Sequence, residues 1–172
     1  QKGSAAEVGS FRQLLVTMKW TTAADFDLCA VYEKKDGSNG LVYFGDLGNL
    51  NDFPYMQLSG DEGVGDAGGD NEETLRITKL DDMKNVWIMA WDYGQVQSGS
   101  PARFAGSDIM LSVMDDSGTT HNVSLDTGDM GNVALLATIE VGAIGPKLIN
   151  SSKAGTLKGL KNLNQLIGII NG

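Results

Sequence analysis

One cysteine, one histidine and three prolines stand in a chain of 172 residues. A single thiol, Cys29, leaves no internal disulfide to form, and a reducing compartment, the cytoplasm, is the expected home. With imidazole and thiol nearly absent, zinc and copper sites are disfavoured on donor chemistry alone. Bases are also scarce: 13 Lys and Arg against 22 Asp and Glu give a formal charge of −9. Phosphate binding needs the opposite sign, so nucleic acid is not an expected partner and a membrane is at most a peripheral one. No apolar run reaches the length of a membrane span, and no signal-peptide pattern is visible. Gln1 in place of an initiator methionine is what a processed chain, or one excised from a longer protein, would show.

What is present is a glycine-rich, strand-like pattern. Hydrophobic residues make up 41% and charged residues 20%, a composition that folds, and 172 residues suffice for one domain with a sizeable core. Leu14, Val16, Met18 and Trp20 alternate with Leu15, Thr17 and Lys19, the period of a strand with one buried face. Leu28 to Tyr32 and Leu41 to Phe44 read as strands joined by a turn over Lys35 to Gly40. Thr74 to Thr78 alternates again, and the continuous apolar run Val86 to Trp91 reads as a central strand covered on both faces. Ile109 to Met114 and His121 to Leu125 form a hairpin around Asp115 to Gly118, and Val133 to Val141 is the last strand. Roughly eight strands with short connections predict an all-β, antiparallel β-sandwich. From Lys153 onward, Leu160, Leu163, Ile167 and Ile170 recur at helical spacing, which predicts a terminal helix over about 156–170 packed on the sandwich.

The chemistry concentrates between Ser59 and Glu73. Six carboxylates (Asp61, Glu62, Asp66, Asp70, Glu72 and Glu73) lie there among five glycines, with no Lys or Arg. A second acidic pair, Asp25 and Asp27, sits at the entrance of another strand. Clustered anions repel one another unless a cation fills the space, and glycines let the backbone curl around it. Hard oxygen donors in this number suit Ca2+, which takes six to eight; Mg2+ keeps its waters and uses fewer carboxylates. The bland alternative is a solvated acidic loop. The spacing is not that of an EF-hand, which needs acids at alternating loop positions between helices. Gly63-Val64-Gly65-Asp66-Ala67-Gly68 satisfies the dinucleotide fingerprint as a string, yet acids surround it and a strand rather than a helix follows.

Other polar residues have ordinary readings. His121 falls mid-strand without a nucleophile nearby, and Cys29 sits on an apolar strand as a core thiol. Asp46, Asn49, Asn51, Asp52 and Asp92 read as turn-formers that could also supply a ligand. Trp20, Trp87 and Trp91 read as core. No nucleophile, oxyanion motif or histidine pairing is recognisable, so no enzyme activity is expected. A carboxylate-based hydrolase and a C2-like, calcium-dependent membrane adaptor are the alternatives to a calcium-binding interaction module.

Trp20, then Asp25-Phe26-Asp27-Leu28, Asp61, and Gly65-Asp66-Ala67-Gly68-Gly69-Asp70-Asn71-Glu72-Glu73 resemble, in that order, the signature of the TerD family of bacterial tellurium-resistance and stress-response proteins. Gln1-Lys2-Gly3 resembles the family's lysine-glycine opening, and Asp92 falls where the family carries an acid after its central strand. The resemblance runs to about Asp92. It implies a β-sandwich binding Ca2+ through acidic loops at one end, without catalysis. It further implies a cytoplasmic role in tellurite resistance and stress response, in complexes with other proteins near the inner membrane. The metal positions it implies are Asp25, Asp27, Asp61, Asp66, Asp70, Glu72 and Glu73. Two departures stand out. The family usually reads Asp-Phe-Asp-Leu-Asp where this chain ends on Cys29, and its Gly-Asp-Gly-Asp-Asp-Glu run is denser than the stretch here.

Overall fold

The computed structural model describes residues 5–7, 14–20, 26–43, 46–53, 55–58, 71–80, 82–92, 109–115, 118, 120–124, 133–142, 145–155 and 164–171. Within them, twelve strands and one helix follow in order. The strands are β1 (Ala5–Glu7), β2 (Leu14–Trp20), β3 (Phe26–Lys34), β4 (Asn39–Val42), β5 (Gly48–Asn49) and β6 (Met56–Leu58). They continue as β7 (Asn71–Ile77), β8 (Met83–Asp92), β9 (Met110–Met114), β10 (Thr120–Ser124), β11 (Val133–Gly142) and β12 (Gly145–Gly155), followed by helix α1 (Asn164–Asn171). Two six-stranded sheets result, ordered β1-β12-β11-β8-β3-β4 and β10-β9-β2-β7-β6-β5, and every pairing is antiparallel. The all-β sandwich read from the sequence is the fold.

Alternation places the core. Leu14, Val16 and Met18 of β2, Leu75 and Ile77 of β7, and Leu111 and Val113 of β9 meet Leu28 and Ala30 of β3 and Ile88 of β8 between the sheets. The first sheet is covered on its other face too. There Cys29, Val31, Met89, Trp91, Val133 and Leu135 form a second apolar cluster with Leu166 and Ile170 of α1. The apolar run Val86 to Trp91 thus serves two cores, as its continuity requires. The second sheet turns Met110, Met114, Lys19 and Arg76 to solvent.

Glycine is required at two tight places. Gly48 has φ +88°, and a β-carbon there would overlap the Met56 carbonyl across the β5–β6 pair. Gly37 (φ +89°) closes the β3–β4 hairpin, where the Asp36 carboxylate accepts from Ser38 N–H at 2.9 Å and Ser38 Oγ–H at 2.6 Å.

Two features depart from the sequence reading. β12 runs from Gly145 to Gly155, so Val133 to Val141 is not the last strand. Its polar run Asn150-Ser151-Ser152-Lys153 lacks apolar alternation; β1 pairs only with Lys147 to Ile149, the run lies along β11, and only Leu148 and Asn150 are buried among the described side chains of β12. The short strands β1, β5 and β6 also lie outside the expected set; two or three residues carry no period. Helix α1 is described from Asn164, and its buried seam is Leu166 with Ile170, Ile167 being half-buried; residues 156–163, with Leu160 and Leu163, lie outside the described residues.

Candidate metal centre

Register assigns one end of the sandwich to the acidic segments. Phe26 at the start of β3 pairs with Asp92 at the end of β8, and Trp20 at the end of β2 pairs with Asn71 at the start of β7. Leu58 closes β6 opposite Leu75, Ser124 closes β10 opposite Met110, and Val133 opens β11 opposite Trp91. Segments 21–25, 59–70, 93–108 and 125–132 therefore all join strand termini on this end. By sequence they carry Asp25, Asp61, Glu62, Asp66, Asp70, Asp108, Asp126 and Asp129 against the single base Arg103.

Two of the expected ligands are described with their side chains, and both are buried. Glu73 is 3% exposed and Asp27 7% exposed. Glu73 has the strand parity of Leu75 and Ile77, so its side chain enters the space between the sheets. There its Oε1 accepts a hydrogen bond from Leu28 N–H of the opposite sheet at 3.3 Å. That donor is available because β4 pairs only with Ala30 to Glu33. Along Phe26 to Cys29, β8 is the strand that pairs with β3 among the described residues. Asp27 shares the parity of Cys29 and Val31 and hangs on the other face of the same strand. The two carboxylates thus lie on opposite faces near the stretch of β3 that β4 does not reach, one from each sheet.

Their fields meet at Cys29. Burial, and then the negative charges of Asp27 and Glu73, push that thiol well above its ordinary value. The thiol itself is fully enclosed under α1, as an apolar core residue is. The position that is acidic in the resembling family is therefore part of a helix bed in this chain.

The remaining sequence-predicted ligands fall elsewhere. Asp25, Asp61, Asp66 and Asp70 lie outside the described residues. Glu72 is described in its backbone only, on β7 opposite Lys19, and Asp92 likewise on β8. Among the described residues, no group of three or more His, Cys, Asp and Glu is placed to hold a metal ion. The polar loop Asp46 to Asp52 does turn chemistry: Asn49 Oδ1 accepts from Asn51 N–H at 2.8 Å and Asp52 N–H at 3.1 Å, and Asp46 Oδ1 from Gly48 N–H at 3.4 Å. Thr78, just past the far end of β7, donates its hydroxyl to the Leu50 carbonyl at 2.8 Å, which ties Leu50 to the opposite end from the acids. His121 is half-buried on edge strand β10, its Nε2 enclosed without a hydrogen-bond partner among the described residues.

Strand parity was the signal that would have singled out Asp27 and Glu73. Each carries a carboxylate at a position where its strand otherwise places buried apolar groups. As donors, two buried carboxylates suit a hard divalent cation, and the expected donor set contains no soft ligand.

No protein-family model matches the sequence, and no curated protein does. Solved structures do match. The fold is similar to that of SAV2460, a protein of unknown function, with a TM-score of 0.59 at 14% identity over 84% of this chain and 92% of that one. It is likewise similar to SCO6318 from Streptomyces coelicolor A3(2), a homologue of the telluride resistance protein TerD, with a TM-score of 0.56 at 14% identity over 93% of this chain and 96% of that one. The chain therefore has a TerD-like fold across most of its length.

Proposed function

We propose that this protein is a calcium-binding structural and interaction module of a bacterial tellurite-resistance or general stress-response system, acting through other proteins rather than by catalysis. The observation that carries the reading is the pair Asp27 and Glu73: two buried carboxylates, one from each sheet, near the stretch of β3 that β4 does not reach. Two buried carboxylates brought close together offer hard oxygen donors of the kind Ca2+ takes. When bound, the ion offers only charge and coordination. Glu73 keeps its hold on Leu28 N–H, and Asp27 and the acids of segments 21–25 and 59–70 would add the further oxygens. Linking the two sheets at that end stiffens the four segments there into a surface for a partner. In this reading the protein works in the cytoplasm. No helix among the described residues is long and apolar enough to cross a membrane.

The test is a calorimetric Ca2+ titration of the full chain after chelation. Wild type should take up the ion, Asp27→Asn and Glu73→Gln should each weaken uptake at least about tenfold, and Asp46→Asn should leave it unchanged. Absence of heat from the wild type would end the reading.

A further inference from the structure

We propose that edge strand β10 pairs with β10 of a second copy of this chain, antiparallel and two-fold symmetric about Asn122, so that the second sheets of two molecules run on as one. The inference uses no metal ion and goes beyond the calcium reading.

The sheet order places four strands at edges, β1, β4, β5 and β10. An edge presents backbone donors and acceptors that another strand can take, and proteins guard such edges with short strands, charges, prolines or bulges. Three of these edges are short: β1, β4 and β5 span three, four and two residues. β10 is the longest, Thr120-His121-Asn122-Val123-Ser124, and contains no proline and no Asp, Glu, Lys or Arg. Its register against β9 runs through all five residues without a bulge, and β9 is its strand neighbour among the described residues. β9 itself, Met110-Leu111-Ser112-Val113-Met114, is equally free of those four residue types. In a chain of net charge −9, two copies can therefore meet along β10 without setting like charges face to face within the paired strands.

The sequence of β10 selects the occupant. Turned about Asn122, the strand is complementary to itself: Asn122 faces its own counterpart, Thr120 faces Ser124, and His121 faces Val123. Thr opposite Ser is one of the combinations that stabilise neighbouring strands. His121 and Val123 share the inner face. Val123 belongs to the core, and His121 ends the cross-strand row that runs through Val113, Val16, Leu75 and Leu58. Pairing gives that half-buried ring an apolar neighbour, Val123 of the second copy. An interface of this length is small, so the dimer is of the weak, concentration-dependent kind.

Sedimentation velocity over a concentration series tests this, in about 0.15 M NaCl, where exposed charges more than about 8 Å apart are largely screened. Wild type should pass from monomer to dimer. Because position 122 faces itself, Asn122→Lys and Asn122→Glu should each weaken association about fivefold or more, and an equimolar mixture of the two should restore it. Asn122→Lys reduces the net negative charge, so a dimer limited by overall repulsion would strengthen instead. Asn122 is exposed, and its side chain accepts one bond, from Ser112 Oγ–H at 2.9 Å. Where the charged variants fail to fold, Asn122→Cys serves. Cys29 is buried, so the introduced thiol is the accessible one. Opposed residues of antiparallel strands lie about 4.5–5.5 Å apart between α-carbons, within disulfide reach. Oxidised glutathione should link Asn122→Cys copies at least about tenfold faster than copies of Asn39→Cys, whose site is exposed on edge strand β4. A wild type that stays monomeric, a dimer that both charged variants leave intact, a mixture that fails to restore it, or equal cross-linking at the two positions overturns the proposal. Each of these results leaves the calcium reading standing.

Discussion

Replacing Glu73 separates its two duties, because alanine and glutamine remove different parts of it. In chelator, Glu73→Ala deletes the acceptor of Leu28 N–H and strands that donor inside the sandwich. An unmet buried donor costs about 1–3 kcal/mol, before any cavity left by a side chain that is now 3% exposed. Glutamine keeps a carbonyl oxygen for the same N–H and removes one negative charge beside Asp27, so its calcium-free stability should stay within about 1 kcal/mol of wild type. With the cavity included, and at roughly 2–4 °C per kcal/mol for a domain of this size, Glu73→Ala should melt a few degrees below Glu73→Gln. Calcium changes the order. At a hundredfold excess over the dissociation constant, an ion that binds only the native state adds about 2.7 kcal/mol, or roughly 5–11 °C. Wild type should show that rise, and both variants should lose most of it. Differential scanning calorimetry in chelator and in CaCl2 reads all of these values. Equal melting of the two variants in chelator would refute the Glu73–Leu28 tether, and a full calcium rise in Glu73→Gln would refute the ligand role.

Further predictions concern the frame. Gly48→Ala should destabilise more than Gly37→Ala in urea titrations; both have positive φ, but only Gly48 faces a backbone carbonyl, and Gly37→Ala should cost about 1 kcal/mol. Cys29 holds its proton in the folded state above the pH where it ionises in the unfolded chain. Its stabilising effect is complete below the ordinary value of 9.0 and is lost as pH rises toward the folded value. Stability should therefore fall above that point by up to about 1.4 kcal/mol per pH unit from this group, and Cys29→Ala should show a shallower alkaline slope. Asp36 titrates below its ordinary value because Ser38 donates to it from side chain and backbone, with Lys34 nearby; Ser38→Ala should raise its midpoint in an NMR titration.

How much of this was legible follows from period and length. The seven-residue alternation of β2 and the apolar run Val86 to Trp91 within β8 announced themselves because each has a distinct burial pattern over several repeats. β12 did not, since its second half is polar, and its pairing with β11 is set by the partner's pattern. The chemistry divided in the same way. Clustering along the chain revealed the acids of residues 59–73, but not that Asp27 and Glu73 would lie near one stretch of β3. That juxtaposition depends on β4 stopping at Val42, opposite Ala30, a feature that local composition does not encode. Cys29 was legible as a core thiol; that the core is the bed of α1, with Asp27 at its rim, required the sheet order.

Asp27 and Glu73 can be examined together by a crystal structure of the protein grown with CaCl2, using the ion's anomalous signal. The account predicts a peak near the stretch of β3 that β4 does not reach, with carboxylate oxygens of both residues about 2.3–2.6 Å away. A peak coordinated by neither residue, or no peak at saturating calcium, would contradict it.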